Sequence, residues 1–252
     1  MNKRKSLRQG LPAALLILGA AIFTFAQDPP QDPNATKPNT RPHQATSPGA
    51  SPAAVSASKD EPVKYTYEFT QPKFVVKHIV LEHDANGRGS VTFERLNEDT
   101  PVVEKIELSP AALARINAAW QGLRFLDSNT DYQSDKQFPH LGTMRIGMEQ
   151  GTRKRVAEFN WTNNNDASTL INEYRRAADQ AILIFDISVA RENQPLNAPK
   201  LMEVFESLLK RDSLSDPQQL LPLLEDLSTD EHVPLIARNH ALRLIKKIRS
   251  GK

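Results

Sequence analysis

The stretch that decides the fold of this chain runs from residue 74 to residue 96 and reads FVVKHIVLEHDANGRGSVTFERL. Its first part, Phe74 to His83, is rich in Val and Ile, and its last part, Ser90 to Leu96, places Val91 and Phe93 on one face by alternation. Residues 84–89 between them predict a turn, because Asn-Gly and Gly tolerate the positive φ that hairpins need. The stretch therefore predicts an antiparallel hairpin.

Similar alternation elsewhere predicts four more strands. They are Tyr65–Phe69, Val102–Leu108, Thr143–Gln150 and Arg153–Thr162. The last two flank Gly151 and Thr152 and so predict a second hairpin. Together the segments predict an antiparallel sheet of about five to six strands, a usual size for a sheet.

Two helical patterns lie between and after these strands. Ser109 and Pro110 favour a helix start, since serine caps exposed amides and proline suits the first turn. A longer helix begins with Asn165 or Asp166 as its cap and runs to about Ala190. Its apolar stripe consists of Leu170, Tyr174, Ala177, Ala181, Phe185 and Ser188. This order predicts an α+β fold in which two helices pack across one face of the sheet.

The chain beyond Pro195 predicts a three-helix extension: Pro199 to Lys210, Pro217 to about Asp226, and Pro234 to about Ile248. The last two helices resemble a single HEAT repeat, on Leu220–Leu224, Asp230, Val233, Ala237 and Ala241. Such units usually carry Arg directly after the Val, where this chain has Pro234. A lone unit has no neighbouring repeat on which to bury its face, so a plain helical hairpin that caps the α+β body is the alternative.

The first 26 residues have the pattern of a secretory signal. A basic start that includes Lys3, Arg4 and Arg8 is followed by an apolar run from Leu11 to Ala26. The order of charge, apolar run and small-residue exit predicts export to the periplasm or the extracellular space, with cleavage near Ala26. If cleavage does not occur, the same segment becomes a single-pass membrane anchor with its basic end inside.

A proline-rich segment separates this signal from the first strand. Its Pro, Ala, Ser and Thr residues show no apolar periodicity, which predicts a disordered linker. We therefore divide the chain into a signal (1–26), a linker (27–62), an α+β domain (63–194) and a HEAT-like helical tail (195–252).

Composition excludes several classes of function. The 252-residue chain has a formal charge of +2, and the signal holds four of its 32 basic residues and none of its 30 acidic ones. The mature chain is therefore slightly acidic, which argues against a nucleic-acid partner. The chain has no cysteine, so thiol nucleophiles, cysteine metal sites and disulfides are absent.

No catalytic or cofactor motif is present in the sequence. It contains no Gly-x-Ser-x-Gly, no His-Glu-x-x-His and no glycine-rich phosphate loop. A metal site built on His78, Glu82 and His140 is disfavoured, since residues four apart on a strand lie roughly 13 Å apart. We therefore expect no metal and no cofactor, and we favour a non-enzymatic protein.

Two basic clusters are the candidate binding residues. Arg153, Lys154 and Arg155 lie at the second hairpin, with Arg145 on the partner strand, and Arg238 and Arg243 lie on the last helix. Arginines beside Phe159 and Trp161 suit an anionic glycan or an envelope polymer, and a basic helix suits an acidic protein partner.

The sequence thus predicts an exported, non-enzymatic domain that binds a protein or polymer partner. One alternative is a hydrolase of an envelope or extracellular polymer, which needs His78, His140, Asp131 and Asp135 to converge in one pocket. Another is a secreted enzyme inhibitor, which needs a protruding loop in residues 126–142. The identity of the ligand and the oligomeric state stay open.

Overall fold

A computed structural model describes residues 61–251, which form one compact unit. Its six strands build a single antiparallel sheet in the order β4-β3-β2-β1-β5-β6. The strands are β1 Val63–Thr70, β2 Val76–Asp84, β3 Arg88–Arg95, β4 Val102–Glu107, β5 Thr143–Gln150 and β6 Arg153–Phe159. The predicted α+β class is confirmed. The predicted signal (1–26) and almost all of the predicted linker lie outside the described residues.

The β2–β3 hairpin forms at the predicted turn. Gly87 has a φ of +79°, the conformation that glycine adopts at no steric cost. The Asp84 carboxylate accepts hydrogen bonds from the backbone N–H groups of Asn86 and Arg88, at 2.8 and 3.0 Å. These bonds fix the register, in which His83 pairs with Gly89.

Gly89 gives the first testable prediction, because a side chain does not fit there. A Cβ atom at Gly89 would lie 1.8 Å from the Glu82 carbonyl oxygen, whereas one at Gly147 in β5 would lie 3.6 Å from its nearest neighbour. We expect Gly89→Ala to lower the free energy of unfolding by about 1–3 kcal/mol, since the backbone must move to admit the methyl group. The matched variant Gly147→Ala should leave it unchanged or slightly higher. Urea unfolding of both variants measures this, and equal effects would contradict the register.

Two helices cover one face of the sheet. Helix α1 spans Pro110–Leu123 and helix α2 spans Asn165–Asn193. Ser109 caps α1 as predicted, but the predicted cap of α2, Asn165 or Asp166, is wrong by one or two residues: the Asn164 side chain accepts the N–H of Ala167 at 2.9 Å. The sheet and the two helices enclose an apolar core whose largest fully buried members are Tyr67, Leu81, Phe93, Ile116, Phe125, Ile146, Leu170 and Tyr174.

Three further helices form the C-terminal region: α3 Ala198–Lys210, α4 Leu221–Thr229 and α5 Leu235–Ser250. They enclose a second apolar cluster around Met202, Phe205 and Leu224. The last turns of α2 belong to this second cluster through Leu183 and Ile187. Helix α2 therefore contributes side chains to both apolar clusters. The boundary between the two clusters lies within α2 and not at its end at residue 193. No helix in residues 61–251 has the length and apolarity needed to span a membrane.

Candidate functional site

The uncovered face of the sheet carries a line of alternating charges across five strands. His78 on β2 contacts two carboxylates, Glu94 on β3 at 3.1 Å and Glu68 on β1 at 3.0 Å. Glu68 in turn accepts a hydrogen bond from Arg145 on β5 at 3.0 Å, and Arg145 lies 3.4 Å from Glu158 on β6. These charged groups pair with one another across neighbouring strands, and the face that carries them is exposed to solvent.

His78 lies at the centre of this line and responds to pH. Its partial burial alone would lower the pKa of the imidazole, but the hydrogen bonds to Glu94 and Glu68 outweigh that effect and raise the pKa above its ordinary value. A raised folded-state pKa stabilises the fold fully below the unfolded pKa of about 6.5, and the stabilisation is lost as pH rises through the folded value.

We therefore expect His78→Gln to destabilise the chain more at pH 5 than at pH 9. Glutamine keeps a polar contact but carries no positive charge at either pH. Denaturant midpoints of the variant and the parent at the two pH values measure the effect. Glu94→Gln should reduce the same pH dependence, because it removes one of the two carboxylates that hold the imidazolium. An equal loss at both pH values would contradict this role of His78.

The structure separates the three basic residues of β6. Lys154 lies on the uncovered face and forms an ion pair with Glu149. Arg153 and Arg155 lie on the other side, because side chains alternate along a strand. Arg153 donates to the carbonyl oxygen of Leu126 at 2.8 Å and also pairs with Asp127.

The contacts of Arg155 stabilise the fold. Its guanidinium donates to the carbonyl oxygens of Phe125 and Thr130, at 2.7 and 2.6 Å, and lies 4.5 Å from the centre of the Phe125 ring. Together with Arg153 it fastens the segment after α1 against β6. The predicted binding residues 145, 153, 154 and 155 therefore do not form one basic patch.

The two predicted residues of the last helix also lie apart. Arg238 is half-buried, and its Nε has no hydrogen-bond partner among residues 61–251. Arg243 is exposed five positions later, on a different side of the helix.

A different feature has the composition of a ligand site. A cleft of about 180 Å³ opens where β5 and β6 meet the first half of α2. Phe74, Leu141 and Trp161 form its exposed apolar rim, and Trp161 is 42% exposed. Its buried apolar wall consists of Met144, Phe159 and Ile171. Clefts with an apolar lining and a few polar groups are the usual form of a binding site. We refer to it as the aromatic cleft.

Contacts from three segments hold the rim of the aromatic cleft in place. The Gln71 side-chain amide donates to the carbonyl oxygens of Pro139 and His140, at 3.1 and 2.8 Å, which ties the β1–β2 connection to the turn before β5. The carbonyl oxygen of Trp161 accepts the N–H of Ser134 at 2.9 Å. The Trp161 ring packs edge-on against Phe138, with ring centres 5.2 Å apart. These contacts fix the position of Trp161 without a ligand.

Arg175 on α2 supplies a positive charge at the cleft. Its guanidinium lies 5.8 Å from the centre of the Phe69 ring. The adjacent Arg176 is paired with Glu173 and Asp212, whereas Arg175 forms no ion pair with residues 61–251. Burial raises the pKa of Asp179, one turn further along α2, and Arg175 opposes that rise. Ser168, Asn172 and Thr162 complete the polar part of the lining.

Among the hydrogen bonds and ion pairs of residues 61–251, none joins two of the residues needed for the hydrolase alternative. His78 is held between Glu68 and Glu94, and the His140 ring packs edge-on against Phe138. The Asp131 carboxylate accepts the N–H of Gln133 within its own turn, at 2.9 Å. Within residues 61–251, no three or more His, Asp or Glu side chains are grouped so that they could hold a metal ion.

The loop that the inhibitor alternative requires is fastened down rather than projecting. Tyr132 is buried, and the Gln133 amide donates to the carbonyl oxygens of Ser134 and Lys136, at 2.9 and 3.1 Å. Asn160 accepts the N–H of Phe138 at 3.1 Å. The middle of residues 126–142 is therefore attached to the segment that follows β6, and Leu141 near its end lines the aromatic cleft.

Comparison with known proteins finds no family model and no curated protein that matches this chain. Sequence patterns did not locate the aromatic cleft, because a strand that continues to Thr162 would place Phe159 and Trp161 on the same face of the sheet. The predicted strand end at Thr162 is wrong: β6 ends at Phe159, and the chain turns so that Trp161 is exposed. The polar run Thr162–Asp166 was the available signal for this earlier end.

Proposed function

We propose that this chain is an exported, non-enzymatic binding domain and that the aromatic cleft holds its partner, a polysaccharide with anionic groups. The observation that carries the proposal is the position of Trp161 at the rim of an apolar cleft that also contains Arg175. A sugar ring has an apolar face of C–H groups, which packs on an exposed aromatic ring and releases water from both surfaces.

Arg175 favours a ligand with carboxylate or phosphate groups. Its planar guanidinium matches the geometry of such anions, and no carboxylate of the described residues neutralises it by direct contact. Export supports the same class of ligand, because acidic polysaccharides are abundant outside the cell membrane. The predicted signal at residues 1–26 is the basis for export.

Tryptophan fluorescence tests this proposal directly. The chain has two tryptophans; Trp120 is 3% exposed in the core, so ligand binding at the cleft acts on the emission of Trp161. Alginate, a polymer of uronic acids, should cause a saturable change in emission, and neutral dextran should cause a smaller one. No change with either polymer, or equal affinity for both, would overturn the assignment of an anionic polysaccharide.

Export requires a separate test. Fractionation of bacteria that express the full chain should recover a shortened product outside the cytoplasm, with its new N-terminus near residue 27. Recovery of the intact chain in the soluble cytoplasmic fraction would contradict the export part of the proposal while leaving the binding measurement unaffected.

A further inference from the structure

The outer edge of β4 borders a groove of about 240 Å³ beside α2. β4 is the terminal strand of the sheet and pairs only with β3 among the described strands. An unpaired strand edge presents a row of backbone donors and acceptors. This groove is separate from the aromatic cleft and shares no lining residue with it.

Two hydrogen bonds show which backbone groups of β4 point outward. The N–H of Leu108 donates to Gly87 at the β3 end, at 2.9 Å. On the other side, the Gln219 side chain donates to the carbonyl oxygen of Glu107 at 3.3 Å. Since successive residues of a strand direct their N–H and C=O groups to opposite sides, Val103 and Lys105 share the outward direction of Glu107. Both present an N–H and a C=O with no strand partner in residues 61–251.

The wall opposite this edge is a stripe of small and apolar side chains on α2. Ala177, Ala181 and Ile184 follow one another at spacings of four and three, which places them on one side of the helix. The two alanines leave room for the side chains of an added strand. Ser215 and Gln219 line the groove as well, and Gln219 covers the Glu107 end of the edge.

Two charged residues of the groove lining form no ion pair with the described residues: Lys105, which strand alternation places on the uncovered face, and Glu104, which it places on the covered face. Glu104 lies between Val102 and Ile106, which both pack against the main core. A carboxylate in this position is complementary to a lysine or arginine on the neighbouring position of an added strand. The groove therefore selects a basic side chain flanked by apolar ones.

Pairing with a second copy of this chain is disfavoured by the same charges. A two-fold axis that pairs two β4 edges keeps the covered faces on the same side. Two registers give the longest overlap of the paired strands. One places Glu104 opposite Glu104 of the second copy, and the other places Lys105 opposite Lys105. Like charges directly opposite each other are destabilising. At the other edge of the sheet, Arg153 and Arg155 fasten the segment after α1 against β6.

We infer that β4 receives an extended peptide by strand addition, and that the peptide carries a lysine or arginine with apolar residues two positions to either side. Backbone hydrogen bonds to Val103 and Lys105 supply the alignment. The basic side chain pairs with Glu104, and the apolar ones cover Ala177, Ala181 and Ile184. This binding activity is independent of the polysaccharide proposed for the aromatic cleft.

The test uses the full chain and a synthetic probe, the peptide Thr-Val-Thr-Lys-Thr-Val-Thr. Nuclear magnetic resonance should show saturable shifts of the Val103 and Lys105 amides, because these N–H groups gain hydrogen bonds. Methylation of the backbone nitrogens of the two threonines beside the lysine should abolish the shifts. If saturating peptide leaves these amides unshifted, or if the methylated peptide binds equally well, strand addition is overturned.

A charge swap tests the role of Glu104. The parent chain should bind the lysine peptide about fivefold or more tightly than the same peptide with a central glutamate, the size of effect expected for a half-exposed ion pair. Glu104→Lys should invert that preference, because the added cation attracts the glutamate. Because Glu104 contributes only its side chain to the groove, the substitution leaves the outward amides of Val103 and Lys105 in place, and their shifts again report binding. An unchanged preference in Glu104→Lys would overturn the assignment of the basic side chain.

Discussion

Tyr174→Phe should lower the free energy of unfolding by about 2–6 kcal/mol, although it removes a single oxygen atom. The Tyr174 hydroxyl accepts the indole N–H of Trp120 at 2.9 Å and contacts His83 Nε2 at 2.8 Å. The other ring nitrogen of His83, Nδ1, faces the carbonyl oxygen of Asp84 at 2.7 Å and must carry the proton. The Tyr174 hydroxyl therefore donates to Nε2. Its loss leaves a buried donor and a buried acceptor unpaired, each at a cost of about 1–3 kcal/mol.

The neighbouring ring provides the matched control. Tyr67 stacks on Tyr174 with ring centres 5.4 Å apart, and both side chains are fully buried. The Tyr67 hydroxyl has no hydrogen-bond partner among residues 61–251. Tyr67→Phe removes an unpaired polar group, so the stability should stay constant or rise by about 1 kcal/mol. Chemical denaturation measures the free energy of unfolding of both variants. A larger loss of stability in Tyr67→Phe than in Tyr174→Phe would contradict the hydrogen-bond chain.

Trp161→Ala should weaken alginate binding at least tenfold, a loss of about 1.4 kcal/mol or more. The ring supplies the largest exposed apolar surface of the aromatic cleft, and tryptophan is enriched among the residues that dominate the affinity of binding interfaces. Because the substitution also removes the fluorescent reporter, titration calorimetry is the appropriate measurement. Stability should change little, since the ring lies at the rim of the cleft.

Two further variants separate the cleft from the basic residues of β6. Lys154→Ala should leave the affinity for alginate unchanged, because Lys154 is paired with Glu149 on the uncovered face. Arg175→Gln should weaken binding to alginate while leaving binding to dextran unaffected, since only the anionic polymer uses the guanidinium. If Lys154→Ala weakens binding more than Trp161→Ala does, the site lies on the sheet face and not in the aromatic cleft.

Local signals made most of the fold predictable. The turn at residues 84–89 depends on Gly87 and on the Asp84 carboxylate, and the start of α1 depends on Ser109 and Pro110. These effects act over a few residues, so they can be read from the sequence. The double role of α2 could not, because Leu183 and Ile187 pack against helices that follow later in the chain.

The candidate sites were harder to predict because they depend on distant segments. Phe74, Leu141, Trp161 and Arg175 lie far apart in the sequence, and the strand order together with the packing of α2 brings them to one cleft. Clustered charges were a poor guide for a similar reason. Arg153, Lys154 and Arg155 are adjacent in the chain, yet strand alternation directs them to opposite faces, where acidic groups and carbonyl oxygens engage them.

The most direct test of the proposed binding site is a map of amide shifts in the full chain on addition of a short uronic acid oligosaccharide. We predict that the largest shifts occur around Phe74, Trp161 and the α2 segment that includes Ser168 and Arg175. Shifts centred on residues 153–155 or on α5, or none at saturating oligosaccharide, would contradict the aromatic cleft as the binding site.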